Sequence, residues 1–243
     1  DPTLELPTLG ARPAVFTQEG SIRVRRLGRP VHDTVRTFSQ RERVSPFTVL
    51  LSAYAILISR LSGRLDFLIG VPVAHRDRPE LESVIGLLVD LLPLRVNLAH
   101  DPAFRDILHR IHEALLDAMA HRAVPLNAIV GLLNPPRDLS RTPLVQVVVN
   151  WKDRSSLLRS LRLEGLVVSP VPVHSHASKF DLTLALTDLG DDLDVQAEYC
   201  TGLFSEAMID GWLTEYRNVL DAVLGNPGLH LRSLPELAGA RRP

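Results

Sequence analysis

The sequence predicts a mixed α/β fold, and three observations lead to this class. Apolar residues at helical spacing alternate along the chain with segments of strand-type patterning. The composition, 45% hydrophobic and 23% charged over 243 residues, is ordinary for a globular protein that buries its own core. No internal repeat and no low-complexity linker divides the chain. We therefore expect one folded unit rather than several domains.

The N-terminal part of the sequence contains a lead-in, a strand and a helix. Residues 1–20 are punctuated by prolines and predicted to be extended, and the alternating segment SIRVRRLG, Ser21–Gly28, is predicted to be a strand. Its arginines would suit nucleic-acid binding, but a net charge of −1 favours a solvated strand face instead. A helix is predicted from Pro30 to Arg43.

A second helix and a short strand follow. Ser45 is a suitable N-cap and Pro46 suits the first helical position, so a helix is predicted to begin there and to end at Ser62-Gly63. Its apolar residues extend nearly all round the helix, which indicates burial on most sides. The segment DFLIGVPVA, Asp66–Ala74, is predicted to be a short buried strand.

The segment IGLLVDLLPLRVNL, Ile85–Leu98, is predicted to be a strand that carries one acid and one base among apolar residues. Asp90 and Arg95 are an odd number of residues apart, so in a regular strand their side chains point to opposite faces and cannot pair. Pro93 indicates an edge strand or a break. We therefore expect Arg95 to be held by another carboxylate or to reach water.

The clearest helix is predicted to begin at Asp101-Pro102, and a shorter one follows Pro125. The long helix has one apolar stripe, formed by Phe104, Ile107, Leu108, Ile111, Leu115, Ala118 and Met119. The segment PLVQVVVNW, Pro143–Trp151, is continuously apolar and is predicted to be a central strand. The segment LRLEGLVVSPVPV, Leu161–Val173, is predicted to be extended.

The last part of the sequence predicts a hairpin and a helix. KFDLTLAL and DLDVQAEY both alternate, and LGDD between them indicates a turn. One face of the first strand is predicted to comprise Phe180, Leu182, Leu184 and Leu186, and one face of the second Leu193, Val195, Ala197 and Tyr199. A final helix is predicted from Ser205 to Gly225, with a stripe of Met208, Trp212, Tyr216, Val219 and Val223.

The common catalytic signatures are absent from the sequence. It has no glycine-rich nucleotide loop, no nucleophile elbow and no CxxC pair. His174 with His176, or His109 with His112, could form half of a metal site, but no further ligands stand at useful spacing. Solvated histidines are favoured, and no metal is expected. Cys200 has no local feature that would make it a nucleophile.

Composition also limits location and partners. The single cysteine cannot form an internal disulfide, which fits a reducing compartment, and we expect the protein in the cytoplasm. No apolar run reaches the length of a membrane span. With a net charge of −1, neither nucleic acid nor a membrane is an expected partner.

Several motifs, in their order, resemble the C-terminal half of a condensation domain of nonribosomal peptide synthetases. GVPVAHRDRPELESVIGLLVDLLPLR is similar to a family block of the form GxPVAxR…(I/V)GxFVNTxxxR, matching at Gly70, Pro72, Arg76, Gly86, Val89 and Arg95. Two further motifs resemble HQDxPFE and RDxSRNPL, matching at His121, Pro125, Arg137, Asp138 and Arg141. KFDLTL, with Lys179 and Asp181, and AEYCTGLF also fit. The series spans about residues 1–240.

This resemblance implies one lobe of a two-lobed fold like that of chloramphenicol acetyltransferase, with a mixed sheet flanked by helices. Residues 1–243 would be the C-terminal lobe, and residues 1–20 the lead-in from an N-terminal lobe. The family's catalytic HHxxxDG motif belongs to that N-terminal lobe and is absent from this sequence. We therefore expect no catalytic residue in this chain and no activity of the chain alone.

The resemblance also assigns expected roles. In the family a carrier-bound amine attacks a carrier-bound thioester, assisted by a histidine of the motif. Arg95 matches an arginine that bonds the motif's aspartate, which suits its bidentate fork. Asn150 is expected to line the reaction channel or to be an ordinary strand-end amide. Arg137, Asp138 and Arg141 are expected to form a structural turn, and residues 151–179 to form the crossover to the other lobe.

Partners follow from the same resemblance, and alternatives remain open. The N-terminal lobe and peptidyl carrier domains are the expected partners, and substrates would arrive on phosphopantetheine arms with no cofactor bound directly. The family's Asn-Thr pair is Asp90-Leu91 here, and its Phe-Glu pair is Leu126-Asn127. These departures keep open a non-catalytic module that recruits a carrier or tailoring enzyme, and also an epimerase-like or ester-forming relative.

Overall fold

The computed structural model describes residues 3–76, 78–153, 166 and 173–234, which form a six-stranded mixed sheet with helices. The strands are β1 (Gly20–Arg26), β2 (Asp66–Ala74), β3 (Val89–Asn97), β4 (Val147–Asp153), β5 (Leu182–Asp188) and β6 (Leu193–Cys200). The helices are α1 (Arg29–Glu42), α2 (Pro46–Ser62), α3 (Phe104–Ala120), α4 (Leu126–Leu133) and α5 (Glu206–Gly225). Much of the predicted crossover and of the extended segment Leu161–Val173 lies outside the described residues.

The strands follow the order β1-β6-β5-β4-β2-β3. β4 is parallel to both of its neighbours, β2 and β5, whereas the other pairs are antiparallel. The central position predicted for β4 is therefore confirmed, and so is the edge position that Pro93 indicated for β3. The predicted hairpin is also present, and its turn contains Gly190 at φ 95°.

The two faces of the sheet are covered differently. The first face, which includes Phe67, Ile69, Leu94 and Val96, belongs to one large buried cluster with residues of α1, α2, α3 and α5. The second face, which includes Leu68, Leu91 and Val148, carries a small cluster against which α4 packs through Leu126, Ile129 and Val130. Most of the apolar burial is thus on the first face, and α4 remains without a fully buried residue.

α2 is the helix that forms the centre of the main core. The Ser45 hydroxyl accepts a hydrogen bond from the Thr48 N–H at 3.0 Å, and Gly63 ends the helix in the left-handed region at φ 69°. Every residue from Thr48 to Ser59 is buried, as the sequence predicted. Among the described residues no single helix is long and apolar enough to cross a membrane; α1 and α2 pass that test only together, with a bend of 103° between them.

Several predicted elements, among them β3, α3 and β4, begin later than expected. β3 begins at Val89 rather than Ile85, because its partner β2 ends at Ala74, which pairs with Val89 and leaves earlier residues without a strand to join. Ile85 is consequently fully exposed. α3 begins at Phe104 rather than Asp101.

Backbone conformation accounts for the later starts of α3 and β4. His100 and Asp101 have positive φ values of 70° and 48°, which no helix can include. Leu144 has φ 61°, and β4 therefore begins only at Val147 rather than at Pro143. A matching shift affects Phe180, which precedes β5 and packs with the second-face cluster rather than beside Leu182.

The lead-in, residues 3–19, is extended and packs on the rest of the chain. Leu4 and Leu6 are buried in the main core, and the Leu4 N–H donates a 3.0 Å hydrogen bond to the Gln146 side chain. Farther along, the Leu9 N–H donates to the Leu203 carbonyl and the Phe16 N–H to the Leu139 carbonyl. The sequence predicted the extended conformation of this segment but not the burial of Leu4 and Leu6.

Candidate functional site

Arg95 lies on the edge strand β3 and forms a bidentate ion pair with Asp66 of β2. Its Nε donates to Asp66 Oδ1 at 2.9 Å and its Nη2 donates to Asp66 Oδ2 at 2.6 Å. In the antiparallel register Asp66 is opposite Asn97 and Leu68 is opposite Arg95, so the pair crosses diagonally between strands. The Arg95 hydrogen bonds lower the pKa of the Asp66 carboxyl.

The Arg95 side chain is 71% exposed, so the prediction of an exposed arginine held by an acid other than Asp90 is confirmed. Asp90 is on the same strand, but its carboxylate accepts a hydrogen bond from the Leu91 N–H at 2.7 Å. Asp90 and Arg95 therefore have different partners, as strand parity predicted. The pairing of Arg95 with an acid from another lobe stays a prediction.

An open cavity of about 490 Å³ adjoins Arg95. Its walls come from β3, through Arg95 and Asn97, and from α3, through Arg110, Glu113 and Asp117. Arg110 is occupied by the backbone carbonyls of Asn97 and Ala99. The cavity therefore contains charges of both signs, and Arg95 is the cation in it whose side chain is held by a carboxylate.

Gly86 and His121 are matched motif residues that lie at the surface. Gly86 is exposed in the segment before β3, and a Cβ added to it would meet nothing within 4 Å. His121 follows α3, is 74% exposed at its side chain, and contacts the Asp117 carbonyl through Nδ1 at 2.9 Å. Pro125 directly precedes α4 and serves as its N-cap residue. The structure does not bring these residues together with Arg95 through any described contact.

Asn150 lies on β4, half-buried, in register with Ala185 of β5. It shares the second face with Val148, as strand alternation predicts. The neighbouring Gln146 is engaged through both ends of its amide: the oxygen accepts from the Leu4 N–H, and the nitrogen donates to the Thr142 carbonyl at 2.8 Å. The role of Asn150 in lining a channel stays a prediction.

The motif RDLSRTPL forms a charged turn. The Asp138 carboxylate accepts hydrogen bonds from the Ser140 N–H at 2.8 Å and from its hydroxyl, which lower the Asp138 pKa. Arg141 forms ion pairs with Asp138 and with Glu5 of the lead-in, each at 2.8 Å. Arg137 is exposed. This geometry supports the structural role predicted for Asp138 and Arg141, whereas the role of Arg137 stays a prediction.

Asp181 has a buried partner that the sequence analysis missed. Its carboxylate is 1% exposed and accepts two hydrogen bonds from Arg12, at 3.0 and 2.5 Å, while Arg12 also donates to the Ser140 carbonyl. Burial raises the pKa of Asp181 although Arg12 opposes this effect. An acid between Phe180 and Leu182 could have signalled a need for a base, but nothing in the sequence pointed to Arg12. Lys179, two residues earlier, is exposed.

Among the described residues, no contact joins the histidine pair or Cys200 to Arg95, although the Cys200 N–H donates to the Asp181 carbonyl at 3.1 Å. His174 and His176 contact edge to face with ring centroids 5.1 Å apart. Cys200 is buried at the end of β6, 3.8 Å from the Thr17 hydroxyl. Within the part of the chain that the structure describes, no group of three or more histidine, cysteine or acidic side chains could hold a metal ion.

The fold places the chain in a known class of α/β proteins. It superposes on a four-domain nonribosomal peptide synthetase with a TM-score of 0.86 at 22% identity, covering 94% of this chain and 18% of that one. It also superposes on the X-domain from teicoplanin biosynthesis with a TM-score of 0.87 at 27% identity, covering 97% and 54%. The common architecture is a mixed sheet flanked by helices.

The chain belongs to the condensation-domain family, whose model matches residues 1–239. Malpinin synthetase of Mortierella alpina is 36% identical over 207 residues, covering 85% of this chain. Surfactin synthase subunit 1 of Bacillus subtilis is 34% identical over 233 residues, covering 96% of it. The chain spans only 3% and 6% of these two synthetases. The resemblance and the fold predicted from the sequence are thereby confirmed.

Proposed function

We propose that the chain is the C-terminal lobe of a condensation domain that joins a carrier-bound acyl or peptidyl thioester to a carrier-bound amine. Membership of the family supports the reaction class. One observation supports the role of a lobe: Arg95, at the family's arginine position, is 71% exposed on an edge strand beside an open cavity. The side of the Arg95 guanidinium that Asp66 does not bind is available to a carboxylate from a second body.

The chemistry divides between the two lobes. A histidine of the N-terminal lobe positions the amine or accepts its proton, and polar groups stabilise the oxyanion. This chain contributes Arg95 to the contact with the other lobe and Asn150 to the channel wall. The substrates arrive on phosphopantetheine arms of carrier domains, so the chain itself binds no cofactor, and we place the reaction in the cytoplasm.

The test compares the chain alone with the protein that carries both lobes. Incubated with loaded donor and acceptor carriers, the chain alone forms no product, whereas the two-lobed protein does. In the two-lobed protein, Arg95→Ala reduces turnover by about 10- to 100-fold, in line with loss of a charge-assisted bidentate contact. Product formation by the chain alone would contradict the proposal. Arg64→Ala, which removes a single bond to the Thr3 carbonyl, is the control variant.

A second function is favoured by one comparison. The X-domain from teicoplanin biosynthesis matches this chain at 27% identity, and a solved complex contains an X-domain together with OxyB. A non-catalytic module that recruits a partner enzyme is therefore the second candidate. The departure at Asp90-Leu91 fits this alternative as well.

The two functions make different predictions for the same assay. A catalytic domain loses product formation when the histidines of the N-terminal lobe are replaced by alanine, whereas a recruiting module shows no product with or without them. Gel filtration with a tailoring enzyme detects recruitment directly. Product formation that depends on the histidines would exclude the recruiting module.

A further inference from the structure

The Arg95 guanidinium is bound on only one of its two hydrogen-bonding sides. A guanidinium has five N–H donors in a fixed plane, which form one fork at Nε and Nη2 and a second at Nη1 and Nη2. Asp66 occupies the first fork, through Nε and Nη2. Within the described part of the chain, Nη1 of Arg95 makes no hydrogen bond or ion pair. One side of this cation is therefore available.

Arg23 of β1 binds a carboxylate on each hydrogen-bonding side of its guanidinium, and it provides a comparison within the same molecule. Its Nε and Nη2 donate to Asp210 at 2.9 and 2.8 Å, which repeats the geometry of Arg95 with Asp66. Its Nη1 forms a second ion pair, 2.7 Å from Glu206. The Arg23 side chain is 36% exposed, whereas the Arg95 side chain is 71% exposed. Arg95 thus has the first carboxylate of the pair but not the second.

We propose that Asp66 is a positioning residue that orients Arg95 so that its Nη1 side receives a second carboxylate, supplied by the N-terminal lobe. This inference rests on the proposed function, which provides that lobe. Asp66 holds the long side chain in one orientation before the contact forms, so less conformational freedom is lost on contact. Asp66 remains bound in the final arrangement, as Asp210 does at Arg23, and is not displaced.

The location suits such a contact. Arg95 is on the edge strand and lines the open cavity between β3 and α3, so a turn from a second lobe can approach it. The acids of that cavity, Glu113 and Asp117, form no ion pair with Arg95 in the described structure. The second carboxylate therefore has no competitor already bound on the Nη1 side.

Chemical modification measures the availability of Arg95 without a substrate. Phenylglyoxal reacts with exposed guanidinium groups, and mass spectrometry of peptides locates the modified arginines. In the chain alone, we expect Arg95 to react faster than Arg23. In the two-lobed protein, Arg95 should react about tenfold more slowly than in the chain alone, because a second carboxylate covers Nη1.

The decisive variant is Asp66→Asn in the two-lobed protein. It should remove most of the protection of Arg95 from phenylglyoxal and lower turnover. Asp66→Glu should restore part of the protection and part of the turnover. Asp210→Asn is the matched control, because it removes the same fork at Arg23 and should leave Arg95 protected. Thermal unfolding of the variants distinguishes a loss of orientation from a loss of folding.

Two results would overturn the proposal, and they differ in meaning. If Asp66→Asn leaves Arg95 as protected as before, or more protected, then Asp66 does not orient Arg95, while the lobe contact itself stands. If Arg95 is unprotected in the wild-type two-lobed protein, then the lobe contact fails, and the proposed function loses its main support.

Discussion

At the scale of single residues, two glycines of the same sequence block have different reasons to be glycine. Gly70 lies on β2 between β3 and β4, and a Cβ there would be 2.7 Å from Val145 Cγ1 and 3.0 Å from Leu91 Cδ1. Gly86 has open space around it. Gly70 is thus required by packing of the second face, whereas packing does not require Gly86.

Substitution of these two glycines should affect stability to different extents. Gly70→Ala is expected to lower the free energy of unfolding by about 1–3 kcal/mol, because the added methyl overpacks the cluster. Gly86→Ala should change it by less than about 0.5 kcal/mol, as for other open surface positions. Urea denaturation measures both. Equal stability of the two variants would contradict the packing argument.

Two buried tyrosines provide a second pair at this scale. Within the described structure Tyr54 on α2 is fully buried, and its hydroxyl has no hydrogen-bond partner. The hydroxyl of Tyr216 on α5 is also buried but donates to the Leu50 carbonyl at 3.1 Å. Burial raises the pKa of both hydroxyl groups, so both remain protonated.

The matched substitutions Tyr54→Phe and Tyr216→Phe should have opposite effects on stability. Removing the unpaired hydroxyl of Tyr54 is expected to stabilise the fold by about 1 kcal/mol, whereas removing the bonded hydroxyl of Tyr216 should cost about 1 kcal/mol. Thermal unfolding of both variants provides the measurement. A clear loss of stability in Tyr54→Phe would show that this hydroxyl has a partner.

At the scale of elements, the lead-in is attached to the sheet by a buried ion pair. Arg12 and Asp181 are 10% and 1% exposed at their side chains, and they join the lead-in to the residue before β5. Arg141 adds an ion pair to Glu5 at 2.8 Å. The motif turn and the lead-in therefore form one unit with the end of the sheet.

Removal of one partner should be costly, because it leaves a buried charge without compensation. Arg12→Ala is expected to destabilise the chain by about 3–5 kcal/mol. The double variant Arg12→Met with Asp181→Leu should recover much of this loss, since a buried pair can be replaced by apolar residues at little net cost. Denaturation curves of the single and double variants test this. A small effect of Arg12→Ala would mean that water reaches Asp181.

At the scale of the whole molecule, the pH dependence of stability follows from several carboxylates. The pKa values of Glu42, Asp66 and Asp138 are lowered, chiefly by hydrogen bonds with Arg105, Arg95 and Ser140. A carboxyl group whose pKa is lowered in the folded state stabilises the fold at pH values above its ordinary pKa. This stability is lost as the pH falls through the folded-state pKa. Asp181, with a raised pKa, has the opposite sign.

We expect the free energy of unfolding to fall as the pH decreases below the ordinary values of 4.5 for Glu42 and 3.8 for Asp66 and Asp138. The three groups with a lowered pKa favour this direction, and Asp181, with its raised pKa, opposes it. Denaturation at a series of pH values measures the slope, and Asp66→Asn should make it shallower. A free energy of unfolding that rises toward acid pH would mean that Asp181 dominates.

The sequence by itself determined the α/β class, most element positions and the family. The cap at Ser45, apolar periodicity and strand parity are local, so they can be determined without tertiary contacts. Parity alone also excluded the pairing of Asp90 with Arg95. The motif order was sufficient to identify the condensation-domain resemblance.

Only the tertiary structure decided the identity of long-range partners. Asp66 and Arg95 are brought together by strand register, and Arg12 and Asp181 by the path of the lead-in across 169 positions. The start of β3 at Val89 likewise depends on where its partner strand ends. Such contacts depend on the relative placement of distant segments, and no local pattern of residues specifies this placement.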